Sequence, residues 1–257
     1  MNEKEMLRAR VEVFAPCREE SKSLTLEALQ RGITLTPLID AATTAAAYGD
    51  DAIRIVRDEY HPEIACQKGC WYCCCIPQIL TSIPELFRIL AYVRETYSPE
   101  ELNALRERAR DYTAKVNGRS LEELASEPAF PCPLLVDGCC SVYEARPLTC
   151  RGYNSLDVDE CRRDYESPTY SVPLFPLVKD AADGTLTGEV EALKDAGSNA
   201  GLVDLGSALN VALSYGPGFE GAVIAGEPLL QNLEDNKWAT DRRKGMKVYA
   251  RAARMKF

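Results

Sequence analysis

The spacing of hydrophobic and polar positions is helical over most of the chain. Residues 36–60 have helical composition and period, with a break expected at Gly49. Residues 189–215 predict one or two helices interrupted near Gly197, and residues 228–235 predict another short helix after a Gly-Pro-Gly turn. The pattern therefore predicts a mainly α fold, with helices packed around an irregular, cysteine-rich metal-binding centre.

Capping signals indicate where two helices begin in the middle of the chain. Residues 83–96 predict an amphipathic helix with Ser82 as its N-cap. Ser98 and Glu101 form a capping box with proline at the first helical position, which opens a further helix to about residue 116. Two helices thus follow one another closely.

The region between residues 128 and 176 lacks helical period. Its prolines prevent long helices, and it carries a group of cysteines. We expect three segments packed into one compact unit: an N-terminal helical segment over 1–60, a cysteine-cluster metal-binding domain over 61–172, and a C-terminal helical segment over 173–257.

Length and composition exclude several classes of protein. A chain of 257 residues, 46% hydrophobic and 27% charged, can bury a real core without covalent cross-links. No apolar run reaches the length of a membrane helix, so no membrane association is predicted. The N-terminus is charged from its third residue and resembles no secretory signal, which predicts a cytoplasmic protein.

The net charge of -9 is unevenly distributed. Residues 237–257 hold eight Lys or Arg against one acid, Asp241, which leaves about -16 on the rest of the chain. Such a body repels nucleic acid, and none is predicted as a partner. The basic tail is interpreted as a solvated helix face lying over the acidic body.

The cysteines give the strongest chemical signal. The stretch ACQKGCWYCCC holds Cys66, Cys70, Cys73, Cys74 and Cys75, and a second group follows at Cys132, Cys139, Cys140, Cys150 and Cys161. Eleven cysteines in a reducing compartment indicate metal-binding or redox thiols rather than a disulfide framework. Thiolates select zinc, copper(I) or iron–sulfur clusters, and loops of this spacing let sulfurs converge.

The motif residues resemble a known family. C-x3-C-x2-C-C, followed by C-P-x-L and then C-S-V-Y-E-x-R-P-L-x-C-R, is similar to a bacterial cysteine-cluster family with a CxxCxxCC signature, described as a putative zinc- or iron-chelating domain. The resemblance covers Cys66 to about Cys161. One departure is the three-residue spacing between Cys66 and Cys70, where the signature has two. Flagellin lysine methylases are similar in this motif.

The resemblance implies a set of metal ligands. They are Cys66, Cys70, Cys73, Cys74, Cys132, Cys140 and Cys150, with Cys161 as an eighth. The remaining cysteines, Cys17, Cys75 and Cys139, are not part of this implied ligand set. Lys68, Arg146, Arg151, Arg162 and Arg163 adjoin the cysteines and can offset sulfur charge; Arg146 and Arg151 are the candidate cofactor-binding residues.

Charge limits how these thiols are used. Four thiolates on one zinc, or on an oxidised four-iron (4Fe-4S) cluster, leave a charge of about -2, and eight around one such centre are far more negative. Eight candidate ligands therefore imply two centres, a larger cluster, or several thiols that stay protonated and do not bind the metal. We predict an iron–sulfur protein in a redox or cluster-assisted reaction with an unknown small-molecule substrate or a redox partner protein.

Two alternatives remain open. In the first, zinc ties the irregular centre together in a structural or interaction module, although a structural zinc site closes with four ligands. In the second, Cys66, Cys70 and Cys73 form the C-x3-C-x-aromatic-C loop of a radical S-adenosylmethionine enzyme. That reading requires a strand just before the loop and repeated strand–helix units after it.

Overall fold

The protein is mainly helical, as predicted. The computed structural model describes residues 1–67, 69–76, 78–120, 123–124, 129–167, 172–235 and 238–253. Its α-helices are α1 (Glu3–Leu29), α2 (Leu35–Tyr60), α3 (Ile83–Thr96), α4 (Pro99–Val116), α5 (Leu148–Gly152), α6 (Val158–Glu166), α7 (Pro176–Asp195), α8 (Leu205–Tyr215), α9 (Phe219–Ile224) and α10 (Trp238–Ala253). Short 3-10 helices span Tyr72–Cys75, Tyr143–Ala145 and Gln231–Leu233.

The strands are short and pair antiparallel. They are β1 (Leu80–Ser82), β2 (Leu135–Val136), β3 (Cys139–Cys140), β4 (Leu202–Asp204) and β5 (Glu234–Asp235). One sheet has the order β1-β4-β5, and β2 and β3 form a hairpin. Ser82 pairs with Leu202 and Leu80 with Asp204, so the sheet joins the end of the first cysteine loop to the start of α8.

Helix α7 lies at the centre of the molecule and is buried along almost its whole length. It packs against α1, α2 and α5, which come from the other two predicted segments. The approach of α1 is close: a Cβ on Gly188 would lie 2.2 Å from the carbonyl oxygen of Arg18. Glycine is therefore required where the two backbones meet.

Polar residues of α7 are buried with partners. Arg10 of α1 donates two hydrogen bonds to the carboxylate of Asp180, at 2.6 and 3.0 Å. The hydroxyl of Thr185 donates to the carbonyl of Ala181 at 2.9 Å, and that of Thr187 donates to the carbonyl of Asp183 at 2.6 Å. These bonds satisfy groups that would be costly to bury alone.

The two capped helices form as predicted. Ser82 and Glu85 make a reciprocal capping box at the start of α3, and Ser98 and Glu101 do the same at the start of α4. The first box is buried and the second is exposed. Helix α3 contributes Phe87 and other side chains to the largest hydrophobic core.

Other boundaries differ from the predictions. Helix α2 runs through Gly49 without a break. Gly49 lies against Leu148, whose Cδ2 would be 2.5 Å from a Cβ added at this position, so the glycine serves close packing and does not end the helix. Residues 189–215 contain the end of α7, then strand β4 and helix α8, so a strand was missed there. Residues 228–235 form a 3-10 turn and strand β5 rather than an α-helix.

The basic C-terminal region contains α10, which packs on α1 and α7. Met246 and Ala250 are buried, and the guanidinium of Arg10 lies 4.5 Å from the centre of the Tyr249 ring. In the part of the chain that is described, no helix has both the length and the apolar character that crossing a membrane requires.

Candidate metal centre

All eleven cysteines are free thiols. Cys66 and Cys139 are exposed, and Cys75, Cys132 and Cys161 are buried. The other members of the two groups are partly buried: Cys70, Cys73, Cys74, Cys140 and Cys150. Cys17 lies apart on α1, where it is only 6% exposed. It contacts Tyr48 within a separate hydrophobic cluster.

Ser155 connects the first cysteine loop to helix α6. Its amide donates a hydrogen bond to the sulfur of Cys66 at 3.2 Å, and its carbonyl accepts one from the amide of Ala65 at 2.8 Å. The Ser155 hydroxyl donates to the carbonyl of Asp157, the N-cap of α6, at 2.8 Å, and it opposes the rise in pKa that burial gives Cys161 on that helix. One serine therefore lies beside thiols from both sequence groups.

Aromatic rings place Cys70 against the same helix. Trp71, which follows Cys70, packs edge-on against Tyr165 of α6 with ring centres 5.0 Å apart. Tyr72 lies 4.8 Å from Trp71 and 5.9 Å from Tyr165. Because Tyr165 is four residues after Cys161, both lie on one face of α6.

The next three cysteines lie on one turn of 3-10 helix. The thiols of Cys73 and Cys74 lie close together, and their interaction, together with burial, raises the pKa of Cys73. Burial raises the pKa of Cys75 to about 11. Cys75 is buried, whereas Cys73 and Cys74 are partly buried neighbours.

The second cysteine group begins at a hairpin. The amide of Cys132 donates to the carbonyl of Cys74 at 2.7 Å, which joins the two groups through the backbone. Cys140 on β3 pairs with Leu135 on β2. The turn is Asp137-Gly138, and both residues have positive φ. Cys139 and Cys140 are successive strand residues, so their side chains point to opposite faces of the hairpin.

Cys150 lies on α5, whose start is held by a buried carboxylate. Glu85 accepts a hydrogen bond from the amide of Leu148 at 2.6 Å. Ser82 donates its hydroxyl to Glu189 at 3.1 Å, and burial raises the pKa of both Glu85 and Glu189. Burial and neighbouring thiols raise the pKa of Cys150 well above its ordinary value.

Backbone amides lie near four of the predicted ligand sulfurs. The amide of Ser155 donates a hydrogen bond to Cys66 at 3.2 Å. The amides of Tyr72, Leu134 and Val142, each two positions after a predicted ligand, oppose the rise in pKa that burial gives Cys70, Cys132 and Cys140. Such bonds stabilise the thiolate over the thiol and tune bound metal. Burial acts in the opposite direction and raises the pKa of Cys132 to about 12.

The two candidate cofactor-binding arginines have different surroundings. The guanidinium of Arg146 lies 4.0 Å from the centre of the Tyr143 ring, and its charge partly opposes the rise in pKa that burial gives Cys73 and Cys140. Its Nε is buried and has no hydrogen-bond partner among the described residues. Arg151 instead pairs with Asp50 and donates to backbone carbonyls of residues 144 and 146.

The remaining predicted basic residues lie further from the thiols or outside the described structure. Arg162 pairs with Asp159 at 3.0 Å, and Arg163 with Glu160 at 2.5 Å, both on the exposed side of α6. Lys68 lies outside the described residues. Arg146 is thus the basic residue whose charge is seen to act on the sulfurs.

The chemistry of the donor set fits a soft metal. In the described part of the chain, no three His, Cys, Asp or Glu side chains are arranged closely enough to hold a metal ion. The thiols nevertheless interact electrostatically across the two groups: Cys66 with Cys161, Cys73 with Cys140, and Cys73 with Cys150. Burial raises the pKa of these thiols, so a metal binding here would have to displace their protons and draw the sulfurs together.

Comparison with known proteins identifies no relative: neither protein-family models, nor curated proteins, nor solved structures match this chain. The family resemblance therefore depends on the motif residues alone. The strand and the repeated strand–helix units that a radical S-adenosylmethionine enzyme needs are not found among the described residues, where α2 precedes the cysteine loop and every strand pair is antiparallel.

Several residues of the site were missed from sequence. Asp137-Gly138 between Val136 and Cys139 is a typical two-residue hairpin signal. Glu85 stands three residues after the predicted cap Ser82 and completes a capping box. Ser155 and Tyr165 carry no such signal, because their roles come from contacts with distant residues.

Proposed function

We propose that this protein binds an iron–sulfur cluster through the cysteines of its two groups and serves as a redox protein. Cys66, Cys70, Cys73, Cys74, Cys132, Cys140, Cys150 and Cys161 are the candidate ligands. The proposal requires a reducing compartment, which agrees with the predicted cytoplasmic location. A redox partner protein or a small-molecule substrate would complete the reaction.

The observation that carries the proposal is the set of backbone amides beside the sulfurs. The amide of Ser155 donates a hydrogen bond to the sulfur of Cys66 at 3.2 Å, and the amides of Tyr72, Leu134 and Val142 oppose the rise in pKa that burial gives Cys70, Cys132 and Cys140. A neutral thiol is a weak acceptor, whereas a thiolate or a metal-bound sulfur accepts strongly. These amides therefore support a thiolate-ligated centre over a collection of buried, inert cysteines.

The chain's own residues give the centre its charge balance and its access to the surface. An iron–sulfur cluster, when bound, supplies one-electron transfer at a potential set by charge, hydrogen bonds to sulfur and solvent exposure. Arg146 opposes the negative charge of the sulfurs. Cys66 is exposed, so this side of the site can meet a partner. Trp71, Tyr72 and Tyr165 shield the neighbouring side.

A structural zinc site is the second candidate, and the scarcity of regular structure around the thiols favours it. Between α4 and α5 the regular structure of the described residues is two helical residues, 123–124, one two-stranded hairpin with two residues in each strand, and a single 3-10 turn. Such a segment gains stability when a metal joins its loops. In this case the metal would hold the fold and take no part in electron transfer.

Anaerobic purification followed by metal and sulfide analysis tests the proposal. We expect iron with acid-labile sulfide, visible absorbance that bleaches with dithionite, and its return on reoxidation. Replacing Cys70 or Cys150 with Ser should lower the metal content in each case. Zinc alone, in protein that stays colourless after reconstitution with iron and sulfide, would establish the structural alternative. Protein that binds no metal would disprove both.

A further inference from the structure

Two glutamates meet inside the protein where helices α3, α5 and α7 come together. Glu85 of α3 is 1% exposed, and Glu189 of α7 is 0% exposed. Ser82 bonds to both carboxyl groups: its amide donates to Glu85 at 3.0 Å, and its hydroxyl donates to Glu189 at 3.1 Å. The two acidic side chains are therefore close neighbours in the protein interior.

The donors around Glu85 favour its ionised form. Its Oε1 accepts from the amide of Leu148 at 2.6 Å, and its Oε2 accepts from the amide of Ser82 and, at 3.2 Å, from the hydroxyl of Thr81. Backbone amides can only donate, so each oxygen of Glu85 has to act as an acceptor. Hydrogen bonds of this kind stabilise a carboxylate. Glu85 is therefore the member of the pair that carries the negative charge.

The surroundings of Glu189 favour its neutral form. Its Oε1 accepts from Ser82, whereas its Oε2 is buried and has no hydrogen-bond partner among the described residues. Leu186 and Val190 on the same helix belong to a buried hydrophobic cluster together with Leu148, whose amide bonds to Glu85. A charged carboxylate with a bare oxygen costs far more in such a place than a neutral carboxyl group does.

The charged groups around the pair balance when one proton is kept. Arg88 of α3 interacts with both glutamates, and Arg151 of α5 interacts with Glu85 and pairs with Asp50 of α2. The two arginines are then matched by Asp50 and one ionised glutamate. A second ionised glutamate would be repelled by the first and would add a buried charge without a partner.

Other charged groups that face α7 have partners elsewhere or lie at the surface. Those of α1 pair with acidic residues at other positions of α7, as Arg10–Asp180, Arg18–Glu191 and Lys22–Asp195. The described lysines of α10, Lys244 and Lys247, are exposed. In the sheet, Asp204 bonds to Ser207 and Tyr112. Glu85 and Arg88 are thus the ionisable groups that act on Glu189.

We infer that Glu85 and Glu189 form a buried carboxyl pair that holds one proton, on Glu189, at neutral pH, and that loss of this proton as the pH rises weakens the junction of α3, α5 and α7. Burial and the charge of Glu85 raise the pKa of Glu189 well above its ordinary value of 4.5, in agreement with this assignment. Because the pKa is raised in the folded state, the stability linked to this proton is fully present below about pH 4.5 and is lost as the pH rises toward the folded pKa.

Ionisation of Glu189 acts on α5 through Glu85. A second negative charge repels the carboxylate that accepts from the amide of Leu148. Leu148 is the first residue of α5, the short helix that carries Cys150. The pair is therefore a pH-sensitive element at the base of the cysteine region, and it does not depend on whether the thiols bind metal.

Urea unfolding of the wild type and of Glu189→Gln under reducing conditions, at several values between about pH 5 and pH 8, measures the proton. Glutamine resembles the neutral carboxyl group in shape and does not ionise. Unfolding that releases one proton raises the unfolding constant about tenfold per pH unit. We expect the wild-type constant to rise by up to this factor relative to that of Glu189→Gln. Glu101→Gln is the matched control, because Glu101 is an exposed capping-box residue, and its unfolding should follow the wild type at each pH.

Infrared difference spectroscopy observes the same proton through the C=O stretch of a protonated carboxyl group. At neutral pH the wild type should show this band and Glu189→Gln should lack it. Absence of the band in the wild type, its persistence in Glu189→Gln, or parallel pH dependence of unfolding in the two proteins would disprove the inference.

Hydrogen exchange of the Leu148 amide tests the link to α5. With rising pH it should accelerate more steeply in the wild type than in Glu189→Gln, and equal acceleration would disprove the link. These measurements do not require bound metal, so their failure would leave the proposed function intact.

Discussion

Glu85 offers a precise test of how the helical body positions the cysteine site. Its Oε1 accepts from the amide of Leu148 at 2.6 Å, and its Oε2 accepts from the amide of Ser82 at 3.0 Å and from the hydroxyl of Thr81 at 3.2 Å. The residue is 1% exposed. Leu148 begins the helix that carries Cys150, so Glu85 joins the hydrophobic core to the site.

The loss of stability expected for each substitution of Glu85 follows from the hydrogen-bond donors that it leaves unpaired. Glu85→Gln keeps one acceptor oxygen but turns an NH2 group toward one of the two amides. A buried amide without a partner costs about 1–3 kcal/mol, and removing a buried carboxylate offsets part of this. We expect a net loss of about 1–2 kcal/mol for Glu85→Gln. Glu85→Ala leaves both amides unpaired and should cost about 2–6 kcal/mol.

Urea unfolding of the reduced, metal-free proteins, followed by circular dichroism, measures these losses. Glu101→Gln is the matched control, because Glu101 occupies the same capping-box position on α4 but is exposed. We expect it to cost no more than about 0.5 kcal/mol. Glu85→Gln should also lower the metal content, because Leu148 begins the helix that carries the candidate ligand Cys150. Equal losses for Glu85→Gln and Glu101→Gln would refute the reasoning.

Two further predictions concern the helical body. Gly188→Ala should destabilise the protein by about 1–3 kcal/mol, because its Cβ would lie 2.2 Å from a backbone carbonyl oxygen. Gly221→Ala is the matched control: no atom lies within 4 Å of its added Cβ, so it should stabilise the protein by up to about 1 kcal/mol. If Gly188→Ala were as stable to urea as the wild type, the close approach of α1 to α7 would be contradicted. Cys17→Ala should leave metal content unchanged, and a measured loss would place Cys17 in the site. Burial raises the pKa of Cys17 from 9.0 to about 11, so its contribution to stability is present below about pH 9 and is lost as the pH rises toward 11. The loss in free energy of unfolding between about pH 9 and 11 should therefore be about 2–3 kcal/mol smaller in Cys17→Ala than in the wild type.

The helices could be predicted where their signals are local. The boxes at Ser82 and Ser98 involve hydrogen bonds between residues three positions apart, so the sequence contains both partners. Strands β4 and β5 were missed for the opposite reason. Each is only two or three residues long, and it exists because a distant strand lies beside it. Periodicity over so few residues carries little information.

The candidate ligands could be named from sequence because thiol chemistry and motif spacing are properties of the chain itself. Their grouping depends on the tertiary structure. Ser155 lies beside both Cys66 and Cys161, and Cys132 meets Cys74, through contacts between segments far apart in sequence.

The sequence by itself determined the helical class, the capped helices and the identity of the thiols, since each depends on composition or on neighbours within a few residues. Only the tertiary structure decided that Cys17 is buried, that Gly49 continues a helix, and that Glu85 holds the start of the helix bearing Cys150. These features arise from long-range packing and burial, whose free energy depends on residues that sequence order does not bring together.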